Sequence, residues 1–141
     1  MRYIKMIRRA LALSCLLPIA FSVVAEPSKA CGRISSFANP PATQDLHRVT
    51  IDRLNDKNVT SKGFYVLEPG IYQVKVYEQI NDHRLRAGRN RGTSKTIEVK
   101  VEPNKRYHLA AEFIKDKRYS KTNKYWEPVI WKVTDEACEL K

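Results

Sequence analysis

The sequence predicts an all-β chain built as a single antiparallel β-sandwich of about six to seven strands. Three observations carry that reading. Apolar residues recur at every second position along five separate stretches, turn-forming residues punctuate them, and no stretch shows the 3.6-residue period of a helix. Alternation at period two gives a strand one apolar face and one wetter face, the pattern of a sheet packed on a core from one side.

Taken in order, the chain of 141 residues opens MRYIKMIRRALALSCLLPIAFSVVAEPS. Four cations (Arg2, Lys5, Arg8 and Arg9) precede an apolar run from Ala10 to Ala25 that ends in Val23-Val24-Ala25. A basic start, a short apolar run and small residues at the cut mark a secretory signal peptide, residues 1–25, cleaved after Ala25. The run is shorter than the ~20 residues of a membrane span and contains Pro18, so no stable span is expected in the mature chain. Leu13-Ser14-Cys15 offers the alternative of a lipid anchor at Cys15. It is the weaker match, because Ala12 stands where a large aliphatic is expected and the apolar run continues beyond Cys15.

Residues 26–46, rich in Pro, Ser and Ala, read as an irregular lead-in, and residues 47–141 as the β-sandwich domain. Val49 and Ile51 alternate with Thr50 and Asp52; Tyr72, Val74 and Val76 with Gln73, Lys75 and Tyr77; Ile97, Val99 and Val101 with Glu98 and Lys100. Tyr107, Leu109, Ala111 and Phe113 alternate with His108, Ala110 and Glu112, and Val129, Trp131 and Val133 with Ile130 and Lys132. Turns at Glu68-Pro69-Gly70 and Pro103-Asn104-Lys105 complete the punctuation. Strands are expected at 47–54, 63–68, 71–80, 95–102, 106–114 and 128–135, in a prealbumin- or immunoglobulin-like arrangement.

The mature segment keeps Cys31 and Cys138, near its two ends. In an oxidising compartment such a pair reads as a disulfide, and with no CxxC the sulfur is structural. No metal site is expected.

If consecutive strands are antiparallel neighbours, the turns at 69–70 and 103–105 share one end of the sandwich with the cysteines. The connections 55–62, 81–94 and 115–127 then share the other. The formal charge of +11 falls to +7 in the mature chain, because the four cations leave with the signal. Asn55–Lys62 carries a net +1, Asn81–Thr96 a net +4 and Lys115–Trp126 a net +4, so these loops hold more than the whole positive excess. The candidate anion-binding residues are Arg84, Arg86, Arg89 and Arg91 in NDHRLRAGRNRG, and Lys115, Lys117, Arg118, Lys121 and Lys124 in the later loop. Tyr119, Tyr125 and Trp126 stand among the latter as stacking faces. Cations meet phosphate, sulfate or carboxylate, and rings stack on bases or sugars. Solvated loops that only aid solubility are the competing reading.

Catalytic motifs are absent. His47, His83 and His108 lack metal-ligand spacing with Cys, Asp or Glu. Asp135 and Glu136, adjacent on a strand, point opposite ways. No GxSxG, phosphate loop or dinucleotide turn occurs, and no cofactor is expected.

LEPGIYQVKVYEQ (67–79) followed by IEVKVEPNKRYHLAAEF (97–113) resembles the small PEGA-type and DUF2846-like bacterial cell-envelope domains. The resemblance is carried by Pro69, Gly70, Tyr72, Val74 and Val76, then Val101, Tyr107 and Leu109. It implies a β-sandwich of the bacterial envelope and assigns no site residues. The expected protein is therefore periplasmic or secreted and non-enzymatic. It binds an anionic polymer (polysaccharide, lipopolysaccharide or nucleic acid) through its basic loops. The alternative is a structural subunit that pairs with an envelope protein through an exposed strand edge.

Overall fold

The structure, a computed structural model, describes residues 28–85 and 93–140. The segment expected to be a signal peptide, with Cys15, and Arg86, Arg89 and Arg91 lie outside the described residues. The strands are β1 (Lys29–Ala30), β2 (Gly32–Ser35), β3 (Leu46–Leu54), β4 (Lys57–Asn58), β5 (Phe64–Leu67), β6 (Gly70–Gln79), β7 (Lys95–Val101), β8 (Lys105–Phe113), β9 (Trp126–Asp135) and β10 (Glu139–Leu140). Single 3-10 turns at Ala42–Gln44, Lys115–Lys117 and Asn123–Tyr125 are the helical content among the described residues. The chain is all-β, as the alternation requires, and the six expected strands lie within two residues of their expected bounds.

Strand β8 is the branch point. One edge takes β2 in parallel over Arg33↔Arg106 to Ser35↔His108, then the start of β3 antiparallel at Leu46↔Glu112 and His47↔Ala111. Its other edge pairs with β9 from Lys105↔Asp135 to Phe113↔Trp126. From Arg48 onward β3 pairs with β6, which pairs with β7, while β5 lies outside β2. Ile34, Val49, Ile51, Tyr65, Val74, Val76, Val99, Leu109, Phe113 and Trp126 join one buried cluster drawn from both groups of strands. Each apolar side chain of this size stabilises by about 1.5–3 kcal/mol on full burial.

The hydrogen-bonded order departs from the expected one. Two of the connections that were read as hairpins join strands that do not pair with each other: β5 to β6 at Pro69, and β7 to β8 at Pro103-Asn104. These turns carry the chain from one group of strands to the other. The sheet is mixed rather than purely antiparallel, and β2 occupies part of the segment read as an irregular lead-in. The signal for β2 is weak because Gly32-Arg-Ile-Ser has one apolar residue. Gly32 is nevertheless required there, since a Cβ would stand 2.5 Å from Val101 Cγ1 and 2.6 Å from the Glu102 carbonyl oxygen.

Two bulges break the alternation. In β3 the register shifts between Ile51 and Arg53, so Leu54 rather than Arg53 follows Val49 and Ile51 into the core. In β9 a shift opposite His108 and Leu109 leaves Trp131 as the extra residue, and Val133 is half-exposed. The expected apolar face of Val129, Trp131 and Val133 is therefore not a core face; β9 contributes Trp126 instead.

Cys31 and Cys138 form a disulfide, with Cα atoms 5.2 Å apart. Asn104 organises the backbone around it. Its left-handed conformation (φ 58°) lets its N–H donate to the Cys31 carbonyl at 2.8 Å, while its Oδ1 accepts the Cys138 N–H at 2.9 Å. Asparagine is among the few side chains that tolerate this conformation.

Candidate functional site

Antiparallel pairing of β6 with β7 and of β8 with β9 puts the loops that follow β6 and β8 at one end of the molecule, beside the start of β3. The connection after β3 does not join them. Asn55 and Asp56 both take positive φ (48° and 62°), the two-residue turn that matches strand twist, and close a hairpin between β3 and β4. Asn55 exchanges hydrogen bonds with Gln73, towards the opposite end of β6, so this turn and its net +1 leave the cationic end. Sequence alone gives this turn no Asn-Gly or Asp-Gly signature.

Of the two loops at the end, the first is held by a carboxylate. Asp82 Oδ1 accepts the backbone N–H of Arg84 and its Nε, both at 2.8 Å, and Oδ2 meets Nη2 of the same guanidinium at 2.5 Å. Arg84 Nη2 also donates to Asp45 Oδ1 at 2.9 Å, and Lys115 Nζ stands 2.8 Å from Asp45 Oδ2. Asp82, Arg84, Asp45 and Lys115 thus form one chain of alternating charge that ties both loops to the residue preceding β3. The guanidinium lies 5.1 Å over the Phe113 ring. Arg84 holds the Asp82 carboxyl well below the usual carboxylate range, and Lys115, then Arg84, lowers the pKa of Asp45. Asp45 and Asp82 were not among the sequence candidates. The Asp82–Arg84 spacing fits a local turn, but nothing local links either residue to Asp45.

The second loop is pinned at several points. Tyr125 Oη donates to Glu78 Oε1 at 2.8 Å, Trp126 Nε1 to Asn123 Oδ1 at 2.5 Å, and the Trp126 carbonyl accepts Lys95 Nζ at 2.6 Å. Tyr125 and Trp126 are 2% and 0% exposed. Both are core residues, which removes them as stacking faces; the aromatic pair closes the β8–β9 end because its rings are more stable out of water. Lys117, Lys121 and Lys124 are exposed, as is Tyr119, over whose ring the Arg118 guanidinium lies at 4.5 Å.

Between the loops is an open depression of about 490 Å³ lined by His83, Arg84, Lys115, Arg118 and Tyr119. Arg84 and Lys115 are neutralised by Asp82 and Asp45, so they form its frame. Among the described residues of the two loops, the remaining excess charge lies on Lys117, Arg118, Lys121 and Lys124, opposed within the second loop by Asp116. The structure therefore brings six of the nine candidate cations to this end and commits two of the six to internal pairing.

His47 lies beneath the same end, its ring edge-on to Phe113 at 6.4 Å and its Nε2 buried with no hydrogen-bond partner among the described residues. Burial lowers its pKa, against the attraction of Asp82, Asp45 and Glu78 and with the repulsion of Arg84. His108 is lowered likewise, by burial first and then by Arg106 and Lys132. A lowered folded pKa means that the unfolded chain takes up protons first. Stability is intact above the ordinary value of 6.5 and is lost as pH falls through the folded values. Asp45 and Asp82 add a second loss, which begins below their ordinary value of 3.8. The denaturation midpoint is therefore expected to fall as the pH drops below the ordinary histidine value of 6.5, before carboxylates titrate. A His47→Gln/His108→Gln variant should flatten that slope, and a midpoint that rises on acidification contradicts the account.

No family model matches this chain, and no curated protein or solved structure matches it. Among the described residues no helix is long and apolar enough to cross a membrane.

Proposed function

We propose that this protein is an exported, non-enzymatic β-sandwich that binds an anionic envelope or extracellular polymer at its cationic end. The observation that carries this reading is the depression lined by His83, Arg84, Lys115, Arg118 and Tyr119, where both long loops meet on a charge-locked frame. A frame satisfied by Asp82 and Asp45 holds its geometry without a ligand. Lys117, Arg118, Lys121 and Lys124 are then the cations that would meet phosphate or sulfate. Arg118 suits a tetrahedral anion because its planar fork can offer two donors at once. The disulfide is compatible with an oxidising compartment, and the signal segment supports export to the periplasm or beyond.

Salt dependence tests the reading. Displacement of counterions by about four cations predicts that affinity for heparin or duplex DNA falls on the order of a hundredfold between roughly 50 and 200 mM salt. Comparing the two polymers separates sulfated-sugar from phosphate preference. Affinity that is flat with salt would sink the proposal.

A further inference from the structure

We propose that β5 is also a pairing edge, joined antiparallel to β5 of a second copy of this chain about Tyr65. The inference is independent of anion binding, because β5 contributes no residue to the depression between the loops. Among the described residues strand β5 has one hydrogen-bonded neighbour, β2, and a groove of about 730 Å³, lined in part by Leu54, Val59, Lys62, Tyr65 and Leu67, runs beside it. Open edges are usually blunted by Lys, Pro or a bulge within the strand. Phe64-Tyr65-Val66-Leu67 carries none of these and presents Phe64 and Val66 at 44% and 41% exposure.

The sequence itself identifies the occupant. Lys62 and Glu68 stand three residues either side of Tyr65, and Phe64 and Val66 stand one either side. With Tyr65 facing Tyr65 in an antiparallel pair, Lys62 falls opposite Glu68 of the second copy and Phe64 opposite its Val66. Twofold symmetry makes each pairing twice. Phe64 and Val66 share one face of β5, Lys62 and Glu68 lie just beyond its two ends, and all four are exposed. Opposite charges and aromatic–β-branched pairs are the favoured cross-strand neighbours. A slip of two residues sets Phe64 against Glu68 or Lys62 against Val66, and both charge pairs are lost. The sequence is therefore complementary to itself in one register.

Four residues make a short edge, so association belongs to the weak range and is best read by sedimentation equilibrium from about 10 μM to about 1 mM. The wild type is expected to form dimers. Lys62→Glu and Glu68→Lys, each of which faces like charges twice, should each raise the dimer dissociation constant by about tenfold or more, and the double exchange should restore it. Both exchanges are expected to leave folding intact, because the two side chains are exposed and the contact of Glu68 with Lys29 is a 3.8 Å surface pair. A chain that stays monomeric throughout overturns the proposal and leaves the groove to a different chain. A dimer indifferent to the single exchanges overturns it too. Heparin affinity of the same variants separates the two readings: a monomer that still binds refutes only the dimer, and a dimer that does not bind refutes only the anion site.

Discussion

Replacing Trp126 with alanine is expected to lower stability by about 3–5 kcal/mol, the range for losing a large buried aromatic. The side chain is fully buried, it faces Phe113 across β8 and β9, and its Nε1 satisfies Asn123. The substitution leaves a cavity at the base of both loops and frees the Asn123 acceptor. Trp126→Phe should cost less, because it keeps most of the volume and loses chiefly the hydrogen bond. Chemical denaturation followed by circular dichroism measures both. If Trp126 were a stacking face for a ligand, alanine would weaken binding and leave the denaturation midpoint unchanged. That outcome would contradict the buried placement.

Removal of the disulfide is expected to cost about 2–5 kcal/mol. The bridge spans 107 residues and so ties almost the whole described chain into one loop, which restricts the unfolded ensemble more than a short bridge would. Cys31→Ser/Cys138→Ser is the appropriate variant, because a single change leaves a thiol in a buried site. Addition of reductant to the wild type should reproduce the loss. Two thiols that label fully in denatured, unreduced wild-type protein would rule the bridge out. The hydrogen bonds through Asn104 remain in the variant, so secondary structure is expected to persist at low temperature.

The strands were legible because alternation is a local property and β6 and β7 obey it with little interruption, whereas β8 buries His108 and Ala110 on its other face as well. Val74, Val76, Val99, Val101 and Leu109 are in the core as their spacing requires. Pairing partners were less legible. Nothing in Glu68-Pro69-Gly70 distinguishes a hairpin turn from a corner that delivers the chain to another group of strands. The bulges at Asp52 and Trp131 also depend on the neighbouring strand, so the inward placement of Leu54 and the exposure of Val133 could not be read from one segment.

At the cationic end the charge count pointed to two loops that the structure brings together, but it could not tell the residues within them apart. Arg84 and Lys115 look the same as Lys117 or Lys121 in a count. The carboxylate that separates them, Asp45, lies 39 residues from Arg84. Tyr125 and Trp126 sit beside cations in sequence and are nevertheless core residues. Their burial follows from the antiparallel register of β8 and β9, which a composition argument does not contain.

The central claim is that placed charge in the second loop, rather than net charge, holds the polymer. Heparin retention at graded salt tests it most directly, with Lys117, Arg118, Lys121 and Lys124 changed together to serine. The control changes Lys57, Lys75, Lys100 and Lys132 to serine, which removes the same formal charge away from the two loops. Arg84 and Lys115 stay in both variants, because they hold Asp82 and Asp45. The loop variant is expected to elute at much lower salt than the wild type, and the control close to it. Equal loss in the two variants, or no loss in the loop variant, would contradict the claim.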